Sequence, residues 1–275
     1  MLPNDRHRRT CAHWWDAIGS LACAVCTPGI RVILAVSVSA SVLPAAGRAA
    51  EMNWGDIESR IQYAYFTEDV RSIRGVLEVL APADSADPSR SYYAALANYR
   101  LLLLTVTSDP AHAKEPAERC VSNLDRALQA RQDFAEAFAL QAACLDSLAT
   151  LQPWRAPFAA SKSGTQLERA RHLAPANPRV LLLNAVGDYE RQRTTPADKD
   201  RALEEFKRAA LAFEAERQQE EHVPGWGAAE TYVYLARCYL DRGEALGARD
   251  ALERALLIAP EFAQARRLMA RITAG

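Results

Sequence analysis

The sequence predicts an all-α protein built from stacked helical hairpins. Alanine supplies much of the 49% hydrophobic content, and aromatic residues make up only 8% of the chain, which favours closely packed helices over a β-sandwich. Apolar residues recur three and four positions apart, as they do on one face of a helix. A set of small and large apolar residues also recurs along the chain, and its last alanine is in turn Ala127, Ala170, Ala209 and Ala255. We therefore expect one hairpin for each recurrence.

Residues 1–49 are typical of an export signal with a long basic leader rather than of a folded domain. Arg31 precedes the apolar run 32–43, which is followed by the helix breaker Pro44 and by small residues up to Ala49. The run is shorter than the roughly 20 residues that span a bilayer. We expect cleavage after Ala49, an exported periplasmic protein and no integral membrane span in the mature chain. An uncleaved signal anchor is the alternative.

Residues 50–88 come next and are predicted to form a short helix pair. The segment WGDIESRIQYAYFTEDVRSIRGVLEVLAP has helical apolar spacing on both sides of Thr67. It lacks the recurring signature of the hairpins that follow. We expect this pair to cap the N-terminal end of the stack, because an end hairpin must shield the core from water on its outer side.

Residues 228–260 contain the clearest hairpin. Two apolar stripes at helical spacing flank the turn sequence DRGE, in which Gly243 permits the change of direction, and Pro260 ends the second helix. Small alanines let the two helices approach closely while tyrosine and leucine fill the flanking space. The residues of this signature are Tyr232, Leu235, Ala236, Tyr239, Ala248, Leu252, Ala255 and Pro260.

Three further hairpins are predicted at about 90–132, 134–177 and 178–214. Each contains the second-helix pattern of a small residue, a large apolar residue four positions later and an alanine three positions after that. Four recurrences make a chance amphipathic bundle the weaker interpretation. The three copies are Cys120-Leu124-Ala127, Ser163-Leu167-Ala170 and Ala202-Phe206-Ala209.

These hairpins resemble the tetratricopeptide repeat (TPR), whose pattern is W-x2-L-G-x2-Y…A-x3-F…P. The last hairpin matches that pattern by residue type throughout, and the other copies are degenerate. The resemblance implies a right-handed superhelical stack of about four repeats, with a capping helix at 261–275. The stretches ARHLAPANPRVLLLNAVGDYERQRTTP and PGWGAAETYVYLARCYLDRG are also similar to exported bacterial envelope TPR proteins that have no settled activity.

The resemblance also implies a binding groove, because the first helices of TPR hairpins line a concave face that takes a peptide or an amphipathic segment of another protein. The lysines with which some TPR proteins clamp a C-terminal carboxylate are replaced here by Ala94, Ala139, Leu182 and Val233. That clamp is therefore absent. The positions carried over to the groove are Glu136, Ala139, Ala143, Asp146, Arg179, Leu182, Val186, Tyr189, Glu230, Val233, Arg237 and Leu240.

Insertions into the TPR period of about 34 residues carry exposed-looking aromatic residues. Trp154 and Phe158 fall in an insertion within the second hairpin, and Trp226 lies in one that precedes the last hairpin. They are candidates for a docking rim, although packing onto the helix ends is the favoured explanation, most of all for Trp226, which leads straight into the next helix.

Charge and motif content argue against nucleic-acid binding and catalysis. Without the five Arg and two Asp of residues 1–49, 28 basic and 32 acidic residues remain, a net charge of −4, and phosphate backbones require a basic surface. His112, His172 and His222 are far apart and lack metal-ligand neighbours. We expect no metal, cofactor or enzyme activity. Two function classes remain: an envelope scaffold that binds another protein, and a non-catalytic subunit of an envelope complex.

Cys120 and Cys144 form a possible disulfide. If the turn between their helices falls near residues 132 and 133, the two residues lie at the same height in an antiparallel pair. Export into an oxidising compartment would allow the bond. Each cysteine also occupies a position for small residues, as Cys238 does, so core packing is the alternative explanation.

Overall fold

The computed structural model describes residues 52–81, 87–191, 195–217 and 225–274. The predicted export signal at 1–49 lies outside them. Within these ranges the chain forms α-helices, one short 3-10 helix at Pro153–Arg155 and no β-strand, which confirms the predicted all-α class. The helices are α1 Trp54–Phe66, α2 Val70–Leu80, α3 Pro88–Thr105, α4 Pro110–Ala130, α5 Ala135–Leu151, α6 Ala156–Leu173, α7 Pro178–Arg191, α8 Pro196–Glu216, α9 Ala228–Asp241, α10 Ala245–Ile258 and α11 Ala263–Thr273.

Consecutive helices pair into hairpins that stack one upon the next. Helices α3 and α4, α5 and α6, α7 and α8, and α9 and α10 pack against each other, as do α1 and α2. The even-numbered helix of one hairpin also contacts the odd-numbered helix of the next, up to α10 on α11. Each hairpin thus buries one side against its partner helix and another against its neighbour, as a repeat stack requires.

Local signals in the sequence explain where several helices begin. The Asp69 carboxylate accepts hydrogen bonds from the backbone N–H groups of Arg71 and Ser72, which satisfies donors left over at the start of α2. Thr195 and Asp198 form a reciprocal capping box at the start of α8. Proline occupies the first position of α8, where its missing N–H costs nothing.

Small residues set the close approach of α9 and α10. Ala236, Ala248 and Ala255 are fully buried between the helices. The ring of Tyr239 lies so close to Gly247 that a Cβ atom added at position 247 would stand 2.8 Å from the Tyr239 Cδ1 atom. The apolar signature of this hairpin therefore describes its contact surface.

A disulfide bond ties two successive hairpins together. The sulfur atoms of Cys120 in α4 and Cys144 in α5 are 2.03 Å apart, and their Cα atoms are 6.3 Å apart. Both residues are fully buried. Cys238 is buried in α9 and takes no part in this bond.

The two ends of the stack meet. The indole N–H of Trp226 donates a 2.8 Å hydrogen bond to the hydroxyl of Tyr92 in α3, and the backbone N–H of Gly225 donates one of 2.8 Å to Glu58 in α1. Gly227 fixes this turn with a φ of 113°, and a side chain there would collide with Phe213. The segment before α9 is thereby fastened to the first and third helices.

A second set of contacts joins the last helix to the first pair. The ring of Phe262, which precedes α11, lies 4.5 Å from that of Phe66 and 5.9 Å from that of Tyr65. Arg267 in α11 forms a salt bridge with Glu68 in the turn between α1 and α2. The superhelix is therefore closed, and its inner face is a chamber rather than an open trough.

Candidate functional site

The odd-numbered helices surround a central cavity of about 530 Å³ on the inner face of the stack. Helices α1, α3, α5, α7 and α9 all contribute to it, and Phe262 and Gln264 add residues from the C-terminal end. A volume of this size lies within the range of small-molecule binding sites. The lining comprises Tyr65, Tyr99, Leu103, Val106, Thr107, Ala143, Asp146, Ser147, Ala149, Thr150, Ala160, Leu183, Val186, Gly187, Glu190, Arg191, Glu230, Val233, Tyr234, Arg237, Phe262 and Gln264.

The central cavity has an exposed end and a buried end. The exposed lining residues Thr107, Thr150 and Glu190 lie at or just beyond the C-terminal ends of α3, α5 and α7. Glu230 and Val233 are buried and lie in the N-terminal half of α9. Because these odd-numbered helices run in the same direction through the stack, the mouth is at their C-terminal ends and the floor towards their N-terminal ends.

Aromatic rings contribute to the wall of the cavity. Tyr65, Tyr99 and Tyr234 come from three different helices, and none of their hydroxyls hydrogen-bonds to another described residue. Burial is the largest influence on each hydroxyl and raises its pKa above the ordinary range. All three hydroxyls are therefore neutral at physiological pH and available as donors and acceptors.

Glu230 is the charged group on the floor. Its Oε1 atom accepts hydrogen bonds from Gln62 of α1, at 3.0 Å, and from the guanidinium of Arg100 of α3. Its Oε2 atom is buried and has no hydrogen-bond partner among the described residues. The side chain thus contributes to the closure of the superhelix and keeps one acceptor unused.

Nearer the mouth, one arginine is paired with carboxylates and another is not. Arg191 of α7 donates a 2.8 Å hydrogen bond to Asp146 of α5 and one of 3.1 Å to Asp188 of its own helix, so its charge is already engaged by two carboxylates. The guanidinium of Arg237 lies over the ring of Tyr234, 5.0 Å from its centroid. Arg237 forms no salt bridge with a described carboxylate, so its hydrogen-bonding fork remains available.

Six of the twelve predicted groove residues line the central cavity and six do not. The lining members are Ala143, Asp146, Val186, Glu230, Val233 and Arg237. The others are Glu136, Ala139, Arg179, Leu182, Tyr189 and Leu240, which are absent from the lining because they pack on other helices or bond to neighbouring residues.

Arg179 shows the difference most clearly. Its side chain is 1% exposed and forms two 2.8 Å hydrogen bonds with the carboxylate of Glu216 in α8. The hydroxyl of Tyr189 donates to Asp241, and Glu136 accepts from Asn177. These side chains connect helices and do not face the cavity.

The remaining predicted groove residues are apolar packing. Ala139 and Leu182 are buried in the core, and Leu240 is partly buried against it. The α7 residues that line the cavity are Leu183, Val186, Gly187, Glu190 and Arg191, so the face predicted from TPR positions is rotated by about one residue.

The predicted docking rim separates into two cases. Trp154 and Phe158 are 77% and 80% exposed and lie outside the cavity lining. Trp226 is 2% exposed and is fixed between Tyr92 and Arg100, whose guanidinium lies 5.2 Å from the indole. Trp226 is therefore not a rim residue: it belongs to the closure of the superhelix.

Sequence reasoning missed Tyr65, Phe262 and Gln264, which come from segments predicted to be caps. Their apolar spacing matches helix packing, and no local signal shows that the first and last helices reach the inner face. Tyr99 and Tyr234 lie next to positions that the TPR pattern assigns to the core, which hid their second role.

Two further kinds of feature, a metal site and a membrane-spanning helix, were sought among the described residues. The described ranges contain no cluster of three His, Cys, Asp or Glu side chains able to hold a metal ion. No helix in them combines the length and the apolar character needed to traverse a lipid bilayer. The observed groups of the central cavity suit hydrogen bonding, ion pairing and apolar contact.

No family model and no curated protein matches this sequence. Among solved structures, the HusA haemophore from Porphyromonas gingivalis is similar at 20% identity, with a TM-score of 0.53, over 69% of this chain and 94% of that one. A thermophilic TPR protein from Thermus thermophilus is similar at 15% identity, with a TM-score of 0.51, over 81% of this chain and all of that one. The chain therefore has the TPR-like superhelical fold that its sequence predicts.

Proposed function

We propose that this protein is a non-catalytic binding protein of the bacterial cell envelope that holds a short segment of another protein in its central cavity. The TPR-like fold supports the role of an interaction scaffold. The single observation that carries the proposal is the convergence of α1, α3, α5, α7 and α9 on one cavity. In a repeat stack that inner face is the recognition surface.

The size of the cavity limits the segment that fits. An α-helix with its side chains is at least about 10 Å across, so a volume of about 530 Å³ holds roughly one helical turn. The long amphipathic segment suggested by the sequence would need an open trough. A chain end or a short extended stretch fits better.

The cellular compartment is part of the proposal and rests on residues 1–49. N-terminal sequencing of protein recovered from fractionated cells tests it. We expect the exported form to begin near Ala50. An intact leader recovered from the cytoplasm would refute export.

A photo-crosslinking residue placed at Val186 tests the binding site in cells. Val186 lines the cavity from α7, whereas Leu246 is 80% exposed on α10 and serves as the control position. We expect a protein adduct from position 186 that position 246 does not give. Identical adducts from the two positions, or none from position 186, would count against the cavity as the binding site.

A second candidate function is carriage of a flat aromatic molecule. The observation that favours it is the aromatic wall formed by Tyr65, Tyr99, Tyr234 and Phe262. One of the similar structures is described as a haemophore, which makes haemin the suitable probe. Saturable change in the visible spectrum of haemin, reduced in Tyr234→Ala, would support this function, and an unchanged spectrum would exclude it.

A further inference from the structure

We infer that the central cavity selects a segment with an acidic side chain between apolar residues, and that Arg237 binds this carboxylate together with the hydroxyls of Tyr65 and Tyr234. This inference rests on the proposed function and adds the chemistry of the bound segment. It depends on three features of the cavity: a cation without a counter-charge, hydroxyl donors near it, and apolar walls towards the floor.

Arg237 is the cation without a counter-charge. It lines the cavity from the C-terminal half of α9, is partly exposed, and forms neither a salt bridge nor a hydrogen bond with another described residue. None of its nitrogens is among the described unpartnered polar atoms that are closed off from solvent, so a ligand can reach them. The other arginine of the lining, Arg191, is engaged by Asp146 and Asp188. An anionic ligand group is therefore expected at Arg237.

Two tyrosine hydroxyls lie near that guanidinium. Tyr65 of α1 and Tyr234 of α9 line the cavity and are partly exposed, and their hydroxyls are neither hydrogen-bonded to another described residue nor closed off from solvent. Burial raises the pKa of both hydroxyls, and the positive charge of Arg237 acts on both in the opposite direction, as a nearby cation does. Neutral hydroxyls donate hydrogen bonds. Donors from the first helix and from α9 are thus available to one anion.

The charges of the lining favour a carboxylate as that anion. A guanidinium stacked on an aromatic ring, as Arg237 is on Tyr234, binds carboxylates and phosphates through two parallel hydrogen bonds. A phosphorylated side chain would bring nearly two negative charges. Glu190 of α7 is an exposed carboxylate on the same lining and has no partner among the described residues. One cation accompanied by that carboxylate suits a single negative charge, which an aspartate or glutamate side chain supplies.

The walls determine the residues beside the acidic one. Val233 precedes Arg237 by one turn of α9 and lies roughly 6 Å closer to the floor along the helix axis. Leu183 and Val186 line the cavity from α7. Ligand side chains next to the carboxylate therefore meet apolar surface. About three residues, an acidic one between two apolar ones, match both the volume and the chemistry of the cavity.

Three pools of tripeptides test the inference by nuclear magnetic resonance titration of the purified protein, which detects weak binding. The first pool is Xaa-Glu-Xaa, acetylated and amidated at its ends, where Xaa is Val, Leu or Phe. The second replaces Glu by Gln, and the third is the Gln pool with a free C-terminal carboxylate. We expect the Glu pool to bind at least about tenfold more tightly than either Gln pool, because a charge-assisted hydrogen bond is roughly twice as strong as a neutral one.

Other results would overturn the inference. Equal binding of the capped Glu and Gln pools would show that the cavity does not select an acidic group, and would leave the proposed function standing. Tightest binding of the third pool would show that the bound carboxylate belongs to a chain end. If no pool binds, the inference is wrong, and the crosslinks from position 186 decide the proposed function separately.

Variants with one charge removed test the role of Arg237. Arg237→Gln is expected to weaken binding of the Glu pool by about tenfold and to leave the capped Gln pool unchanged. Arg249→Gln, on the exposed face of α10, is the matched control. Glu190→Gln removes a like charge from the lining and is expected not to weaken binding of the Glu pool. An equal effect of Arg237→Gln on both pools, or a loss of affinity in Glu190→Gln as large as that in Arg237→Gln, would overturn the assignment.

Variants that lack one hydroxyl test the two tyrosines. Tyr65→Phe and Tyr234→Phe keep the aromatic wall and remove one donor each, so each is expected to weaken binding of the Glu pool about threefold and to leave the capped Gln pool unchanged. Unchanged binding of the Glu pool by both variants would overturn the assignment of the hydroxyls to the anion.

Discussion

Single glycines show how side-chain size controls the contact between paired helices. We predict that Gly247→Ala destabilises the protein, because the added methyl group would stand 2.8 Å from the ring of Tyr239. Gly164→Ala is the control: it lies within α6 with no atom near its Cβ position, so it gains the usual helix preference of about 0.5–1 kcal/mol. Urea denaturation measures both. Equal stabilisation by the two substitutions would show that the Tyr239 ring moves away from the added methyl group at no cost in stability.

The buried ion pair between Arg179 and Glu216 gives a second prediction at this scale. Arg179→Met removes both hydrogen bonds and leaves the carboxylate of Glu216 mostly buried, so we expect a loss of about 3 kcal/mol. The double variant with Glu216→Met is expected to recover most of that loss, because no unpaired charge remains. The exposed pair of Arg191 and Asp146 is the comparison, and Arg191→Met should cost less than about 1 kcal/mol.

Chemical denaturation of all four proteins provides the measurement. If Arg179→Met and Arg191→Met lose the same free energy of unfolding, burial does not strengthen the dependence on the partner charge. Arg179 is also where the sequence was misleading, since the TPR pattern places it in the groove. An arginine's sequence position does not reveal that a carboxylate 37 residues later will be within reach.

Among the helices, the bond between Cys120 and Cys144 has a measurable consequence. It joins α4 of one hairpin to α5 of the next and closes a loop of 24 residues, which restricts the unfolded chain. We predict that reduction, or the pair Cys120→Ala and Cys144→Ala, lowers stability by about 3 kcal/mol. Thiol counting on the denatured, unreduced chain from residue 50 onward should find one reactive thiol, that of Cys238. Three reactive thiols would contradict the bond.

Helix formation could be predicted well from local residues, and the inner face could not. Apolar spacing, Gly243 and the prolines at helix ends predict hairpins close to those observed, because they act over a few residues. The direction in which α7 faces depends on how the whole superhelix curves. For that reason the sequence predicts Val186 in the groove but not its neighbours Leu183 and Glu190.

For the whole molecule, we predict that Trp226→Ala opens the closure of the superhelix. The substitution removes a buried indole that contacts Tyr92 and Arg100 of α3, and we expect it to lower the free energy of unfolding by about 3 kcal/mol. Hydrogen exchange should then quicken in α1 and α3, far from residue 226 in sequence. Trp154→Ala, at an exposed position, is the control. Faster exchange confined to residues 225–241 would show that the two ends hold together without Trp226.

The salt bridge between Arg267 and Glu68 spans 199 residues of chain. An open solenoid folds outward from any hairpin, because each repeat needs only its neighbours. In a closed superhelix the first helices reach their final packing only after the last helix has formed. We therefore expect the contacts between the two ends to form slowly and last, since contacts between residues far apart in sequence delay folding. The contact between the two ends also fixes the number of hairpins in the stack. Inserting one more hairpin would carry α11 past α1, and the chamber would become a spiral with two exposed ends.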